Sequence, residues 1–130
     1  MLVLDTTILI DALHRKKAAL RKIVELEEPG ETIYSTQINV PELYKGAYFP
    51  TKSNEGLQKV KKLLDAFVIL NINDDTYVWF AALSAELKSS GEPISDFDEL
   101  IAAITMTNEA AIVSKDNHFK RIPGLSVISY

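Results

Sequence analysis

The chain has 130 residues, 47% of them hydrophobic and 25% charged, which is the usual balance of a single globular domain spanning residues 1–130. It contains no cysteine, which excludes disulfides and cysteine-based metal or redox sites, and its two histidines argue against a histidine-rich metal site. The net charge of −4 argues against broad, non-specific nucleic-acid binding. The N-terminus has no basic segment and no window reaches about 18 apolar residues, so we expect a cytoplasmic protein with no membrane contact.

Short apolar runs predict the strands. Met1–Leu4 is typical of a buried strand, and four later runs are also predicted as strands: Thr32–Ser35, Ala66–Leu70, Ala111–Ser114 and Ser126–Ser129. Helical patterns separate these runs. The first helix is expected to begin after an N-cap at Thr6 or Thr7, and a break near His14–Lys17 is left open.

Capping or stop residues mark the other helix boundaries: Thr36 or Asn39, Pro50, Ser53, Asp74 or Asp75, and Ser95. The helix that follows Ser95 is apolar almost all round and is therefore expected to be buried. Strands that alternate with helices predict an α/β fold, with a mainly parallel sheet of four to five strands covered by helices on both faces.

Four acidic residues follow strands or begin helices in this pattern. Asp5 ends the first apolar run, Asp116 follows the run at Ala111–Val113, and Glu42 and Asp98 lie near helix starts. Because sites in open α/β sheets form at the carboxyl ends of strands, several of these acids are expected to lie together. Clustered carboxylates repel one another unless a cation joins them, and Mg²⁺ prefers oxygen ligands of this kind. The sequence therefore points to a metal-dependent site.

Each acid also has an ordinary structural explanation. Asp5 is a suitable helix N-cap, and Glu42 is a common type of first-turn helix residue. Asp98 has the spacing of a capping partner for the serine before it, and Asp116 suits a turn. Asp96 lies two residues before Asp98 and is an alternative acid at that position. Patterning alone leaves these alternatives open.

Four segments resemble the PIN-domain family, and most closely its VapBC-type toxins. Leu2–Asp11 is similar to the family's opening strand, aspartate, hydroxyl residue and helix. Asn39–Leu43 matches the segment that carries the second acid, and Phe97–Ala103 matches an aspartate followed by an Ile-Ala-Ala helix. Ile112–Phe119 resembles the strand, hydroxyl residue, aspartate and His-Phe pattern, with Ser114 where threonine is common. The resemblance covers the whole chain.

This resemblance implies a three-layer α/β/α PIN-like fold and an endoribonuclease that depends on Mg²⁺ or Mn²⁺. By resemblance, Asp5 and Asp98 would hold the main ion, and Asp116 would bind it directly or through water. Glu42 would bind the ion or orient the attacking water. In-line hydrolysis of this kind leaves a 5′-phosphate and a 3′-hydroxyl.

Other side chains are expected to support these acids. Thr6 and Ser114 are expected to fix the carboxylates through hydrogen bonds, and Asp96 would assist or replace Asp98. His118 is favoured as a packing or surface residue over a ligand. The basic residues that are candidates for contacts with RNA phosphates are Arg15, Lys16, Lys115 and Lys120.

The resemblance also implies an RNA substrate, a VapB-type antitoxin and a homodimer. A chain of 130 residues favours a toxin over a PIN-domain nuclease of RNA processing, because those proteins usually carry extra domains. A non-catalytic PIN-type binding module would be expected to lack one or more of the acids, and all four are present.

Overall fold

A computed structural model of the protein describes residues 1–48 and 54–130. The strands are β1 (Leu2–Leu4), β2 (Ile33–Thr36), β3 (Val68–Leu70), β4 (Ala111–Val113) and β5 (Ser126–Ile128). The helices are α1 (Thr6–Leu13), α2 (Lys17–Glu27), α3 (Asn39–Tyr48), α4 (Asn54–Leu64), α5 (Asp74–Ser89) and α6 (Asp96–Thr107), and a 3-10 helix spans Asn117–Arg121. The helix stop predicted at Pro50 and the helix start predicted at Ser53 lie outside the described residues.

The five strands form one parallel sheet in the order β3-β2-β1-β4-β5. β1 lies in the centre, where Leu2 pairs with Ile33 of β2 on one side and with Ala111 of β4 on the other. The chain runs outward from β1 to β3 and then returns to β4, so the strand order reverses between β1 and β4. In open α/β sheets, ligand sites form at the carboxyl ends of the strands beside such a reversal.

Helices cover both faces of the sheet. Side chains of successive strand residues point to opposite faces, and the strands carry apolar side chains on each face that the helices bury. Leu4 and Val113 belong to a core cluster with apolar residues of α1 to α4. Ile112 belongs instead to a second cluster, with Leu83 of α5 and Ile101 of α6. The predicted three-layer α/β/α architecture is confirmed. Within the described residues, none of the helices combines the length and apolar character needed to cross a bilayer.

Of the N-caps considered for the first helix, Thr6 and Thr7 are wrong, and Asp5, given as the structural explanation for that acid, is correct. Asp5, rather than Thr6 or Thr7, has the extended cap conformation, and its carboxylate accepts the backbone N–H of Thr7. The strand ends at Leu4, together with the apolar run, and the helix begins at Thr6, so Asp5 is the single residue between them and itself makes the transition to helix. The break left open near His14–Lys17 is present, and Arg15 adopts a φ of 56° between α1 and α2.

The N-cap predicted for α5 is also wrong. Asn73 caps this helix, whereas Asp74 and Asp75 already lie in its first turn. The Asn73 side chain accepts the backbone N–H of Thr76, and the Thr76 hydroxyl accepts the backbone N–H of Asn73, each at 3.1 Å. This reciprocal pair is a capping box, in which asparagine and threonine take the usual places of serine and glutamate.

The third strand is shorter than the predicted Ala66–Leu70. The backbone N–H groups of Ala66 and Phe67 donate to the carbonyls of Leu63 and Leu64, so they extend the last turn of α4 and do not join the sheet. The other four strands agree with their predicted bounds to within one residue at each end.

We predict that Asn73→Ala lowers the unfolding free energy by about 1 kcal/mol, because it removes the acceptor for the Thr76 N–H. For a domain of this size the melting temperature should decrease by roughly 3–6 °C. Asp75→Ala is the matched control, because Asp75 is exposed and does not cap the helix. Thermal unfolding followed by circular dichroism checks this prediction. A larger decrease in melting temperature for Asp75→Ala than for Asn73→Ala would contradict the cap assignment.

Candidate active site and metal centre

Asp5 lies at the carboxyl end of β1 and is almost fully buried, with 3% of its surface exposed. Its Oδ2 accepts hydrogen bonds from the hydroxyls of Ser114 at 2.8 Å and Thr7 at 3.1 Å. Its Oδ1 accepts a longer bond from the side-chain amide of Asn39 at 3.5 Å. Burial raises the pKa of Asp5, and the hydrogen bonds from Ser114 and Thr7 counteract part of that rise.

Asp116 is linked to Asp5 through the hydroxyl of Ser114. The Ser114 Oγ donates to Asp5 Oδ2 and accepts the backbone N–H of Asp116 at 2.9 Å. The carboxylate of Asp116 caps the 3-10 helix by accepting the backbone N–H of His118 at 2.9 Å. The carboxyl ends of β1 and β4 therefore each carry an acid, and one serine connects them.

Glu42 lies in the first turn of α3 and is partly buried. Its Oε1 accepts a 2.7 Å hydrogen bond from the hydroxyl of Thr6, which in turn accepts the side-chain amide of Asn39 at 2.8 Å. Burial raises the pKa of Glu42, and the negative charges of Asp5 and Asp98 raise it further. These three acids are therefore close enough to interact electrostatically.

Asp98 lies in the first turn of α6, where Ser95 Oγ accepts its backbone N–H at 3.2 Å, so the predicted Ser95 cap is confirmed. The Asp98 carboxylate faces His118, with 3.7 Å between Oδ2 and Nδ1, and the same Nδ1 lies 3.1 Å from Asp116 Oδ1. Burial raises the pKa of Asp98, and the negative charge of Asp116 adds to the rise. Asp96, the alternative acid, is exposed at the start of the helix.

The donor set at this place fits a hard divalent cation. Asp98, Asp116 and His118 each offer one ligand atom, and these atoms lie within 4.8 Å of one another. Asp5 and Glu42 lie beside this group, since Asp98 raises the pKa of Glu42 and Ser114 joins Asp5 to the loop of Asp116. Carboxylate oxygens suit Mg²⁺ and Mn²⁺, and a bound cation would relieve the repulsion that adds to the effect of burial on the pKa values of Glu42 and Asp98.

The four basic residues predicted to contact RNA lie on two segments. Arg15 and Lys16 are exposed at the bend between α1 and α2, and Lys115 and Lys120 are exposed after β4. The ammonium groups of Lys16 and Lys115 both pair with Asp11 of α1, at 3.2 Å and 2.6 Å. These ion pairs bring the bend and the loop after β4 together.

A groove of about 590 Å³ opens beside the acids, lined by Thr6, Ile10, Pro41, Glu42, Lys45, Gly46 and Phe97. Thr6 and Glu42 belong to both the groove and the acidic cluster. Phe97 precedes Asp98 in the chain, and half of its surface is exposed. The groove therefore gives a ligand a way to reach the Glu42 side of the cluster.

Three side chains at the site are not expected from the sequence. Asn39 is predicted only as a helix cap, yet its amide reaches Asp5 and Thr6. Thr7 is predicted only as a cap, and His118 as a packing or surface residue, although both contact acids of the cluster. One signal is visible for Asn39, because it lies three residues before Glu42 and such residues share one helix face.

Comparison with known proteins identifies the family of this chain. Residues 2–125 match the PIN domain family. Ribonuclease VapC2 of Rickettsia felis is 27% identical over 124 residues, and tRNA(fMet)-specific endonuclease VapC of Shigella flexneri is 26% identical over 124 residues; each match covers 95% of this chain and 92% of the relative. The crystal structure of Rickettsia felis VapBC2 bound to a promoter DNA fragment aligns with a TM-score of 0.89 and 26% identity, covering 98% of this chain and 97% of that chain. Because the family match spans nearly the whole sequence, the chain belongs to the PIN-domain family.

Proposed function

We propose that the protein is a metal-dependent endoribonuclease that acts as the toxin of a type II toxin–antitoxin pair. The observation that carries the proposal is the meeting of Asp5, Glu42, Asp98 and Asp116 beside the strand reversal between β1 and β4. The relatives named as VapC ribonucleases support RNA as the substrate. The similarity to a chain of the Rickettsia felis VapBC2 complex supports the toxin role.

In the proposed site, Asp5 and Asp98 would hold a Mg²⁺ or Mn²⁺ ion, and Asp116 would contribute directly or through a water molecule. When bound, the ion would lower the pKa of the attacking water and neutralise charge on the phosphate. Glu42 orients that water, and the hydrogen bond from Thr6 to its Oε1 fixes the carboxylate. In-line attack on the phosphorus would break the bond to the 3′-oxygen, leaving a 5′-phosphate and a 3′-hydroxyl.

Hydroxyl and amide groups hold the acids in place before substrate binds. Ser114 and Thr7 donate to the same oxygen of Asp5, which fixes the orientation of that carboxylate. Asn39 donates to the Thr6 hydroxyl, which directs the Thr6 proton toward Glu42. Groups that orient ligands in this way usually affect metal affinity or activity by about 10–100-fold when they are removed.

We propose that Asp98→Asn and Asp5→Asn each reduce RNA cleavage by a factor of at least about 100, because each removes a charge that holds the cation. Asp96→Asn is the matched variant, with the same chemistry on the same helix at an exposed position, and it should retain most activity. Cleavage of a labelled RNA pool that includes tRNA, with Mn²⁺ or with EDTA, measures these effects. Near wild-type cleavage by both Asp5→Asn and Asp98→Asn would reject the site assignment.

The raised pKa values give a pH dependence of stability in the absence of metal. In the unfolded chain these carboxyl groups have their ordinary pKa values, 3.8 for Asp and 4.5 for Glu. The folded protein keeps protons on Asp5, Glu42 and Asp98 at somewhat higher pH, because their pKa values are raised. Their contribution to stability is therefore present below the unfolded values and is lost as pH rises through the raised folded values. The effect of Asp11 on stability depends on pH in the opposite direction. Burial raises its pKa, but hydrogen bonds from Lys115 and Tyr130 outweigh this and lower the pKa to about 2, so its contribution is lost only as pH falls toward that value.

We therefore expect Asp98→Asn to raise the melting temperature in EDTA at pH 7 by a few degrees, for about 1 kcal/mol, because it removes a repelling charge. It should also reduce the further rise that Mg²⁺ produces in the wild type through mass action. Asp11→Asn is the contrasting variant and should lower the melting temperature. Differential scanning fluorimetry tests both. A lower melting temperature for Asp98→Asn in EDTA, with the full Mg²⁺ effect retained, would make Asp98 a structural residue.

The proposed toxin forms a homodimer and binds a VapB-type antitoxin. A basic side chain of the antitoxin is suited to the acidic cluster, and arginine is favoured because its guanidinium can bind a carboxylate through two hydrogen bonds.

On this basis we expect light scattering of the purified protein to give twice the 14.5 kDa chain mass. Co-expression with the product of the adjacent small gene should give a stable complex, and adding that product should stop RNA cleavage in a dose-dependent way. A monomer that cleaves RNA and binds no product of a neighbouring gene would favour a nuclease of RNA processing over a toxin.

A further inference from the structure

Asp11 of α1 forms a second polar cluster beside the proposed site. It is 5% exposed, and its carboxylate accepts three side-chain donors: Lys115 Nζ at 2.6 Å, Tyr130 OH at 2.8 Å and Lys16 Nζ at 3.2 Å. A buried carboxylate is costly unless it is paired and hydrogen-bonded, so these donors are needed to keep Asp11 ionised. None of these contacts takes part in the chemistry proposed above.

Lys115 connects this cluster to the site through the backbone. It lies between Ser114, which donates to Asp5 Oδ2 at 2.8 Å, and Asp116, whose N–H binds Ser114 Oγ. The pair of Lys115 with Asp11 therefore holds the segment 114–116 against α1. Asp5 caps the other end of that same helix.

Tyr130 makes a second connection between the Asp11 cluster and the acids of the proposed site. Its hydroxyl donates to Asp11 at 2.8 Å. Burial and this hydrogen bond raise the pKa of Tyr130, and the nearby Thr7 side chain counteracts part of that rise. Thr7 donates to Asp5 Oδ2 at 3.1 Å, and its hydroxyl lies 3.2 Å from that of Ser114. Two routes thus lead from Asp11 to the hydrogen bonds that orient Asp5 and Asp116, one through the backbone after β4 and one through Tyr130.

We propose that Asp11, Lys115 and Tyr130 form a positioning unit that sets where Asp116 and Ser114 stand relative to Asp5, and that Lys115 acts through Asp11 instead of contacting RNA. This inference rests on the proposed nuclease function. The ion-pair geometry favours it, because a move of Lys115 to an RNA phosphate would leave the buried Asp11 with one neutral donor and the more distant, 57% exposed Lys16. Only the carboxylate of this pair is buried, and leaving a buried charge without its partner is unfavourable.

The test compares Lys115→Gln, Asp11→Asn and their double variant, with steady-state RNA cleavage measured well below each melting temperature. We expect each single variant to lower kcat about 10–100-fold, the range seen when groups that orient metal ligands are removed. KM and the salt dependence of KM should not change, and the double variant should be no worse than the single variants. Lys115→Arg should recover most of kcat, because a guanidinium can also pair with Asp11.

Lys59→Gln is the matched control, since Lys59 makes an exposed ion pair with Glu55 on α4. It should leave kcat unchanged. Tyr130→Phe removes only one hydroxyl and should give a smaller decrease in kcat than Lys115→Gln, so it tests the unit even if Asp11→Asn folds poorly. Lys115→Gln would instead raise KM, weaken its salt dependence and keep kcat if Lys115 contacted RNA, and that outcome would overturn the proposal.

A second readout does not depend on catalysis. The rise in melting temperature that Mn²⁺ produces should be smaller in Lys115→Gln and Asp11→Asn than in Lys59→Gln, because a displaced Asp116 binds the ion less well. If the wild type binds Mn²⁺ but cuts no RNA, the nuclease proposal fails while this comparison still tests the positioning unit. If the wild type cuts RNA and all variants keep the full Mn²⁺ effect and kcat, the positioning unit is rejected and the nuclease proposal stands.

Discussion

The burial of several carboxylates at one point of the sheet is the constraint on which the rest of the site depends. Asp5 is 3% exposed, and burial raises the pKa of Glu42 and Asp98 as well. Groups that lose hydration beside other negative charges need either hydrogen-bond donors or a cation. The fold meets this need with donors from three separate segments: Thr6 and Thr7 on α1, Asn39 on α3, and Ser114 after β4.

The choice of neutral donors has an electrostatic consequence. Hydroxyl and amide groups orient a carboxylate without cancelling its charge, so Asp5 and Glu42 are held in fixed positions and still repel one another. Ion pairs are used at Asp11, where burial raises the pKa but hydrogen bonds from Lys115, Tyr130 and Lys16 outweigh it and lower the pKa to about 2. The two clusters lie on the same helix, and the difference in their partners separates the proposed metal-binding role from the proposed positioning role.

Local patterns in the sequence predicted most of the fold. Apolar runs marked the five strands, and their alternation with helices predicted the parallel sheet and the two helical layers. The contacts within the site were beyond such patterns, because Asn39 and Asp5 are 34 residues apart and Thr7 and Ser114 are 107 apart. These contacts follow from the register that places Leu4 opposite Val113, which short-range periodicity does not specify.

The helix N-termini described above also contribute an electrostatic field at the site. Asp5 caps α1, Glu42 lies in the first turn of α3, and Asp98 lies in the first turn of α6, so three helix N-termini point toward one place. Each N-terminus carries roughly half of a positive elementary charge from its aligned peptide dipoles. This fixed field lowers the cost of collecting the carboxylates and cannot be removed by mutation of any one side chain. With the acids neutralised by the proposed cation, the same peptide dipoles would favour the approach of a phosphate group.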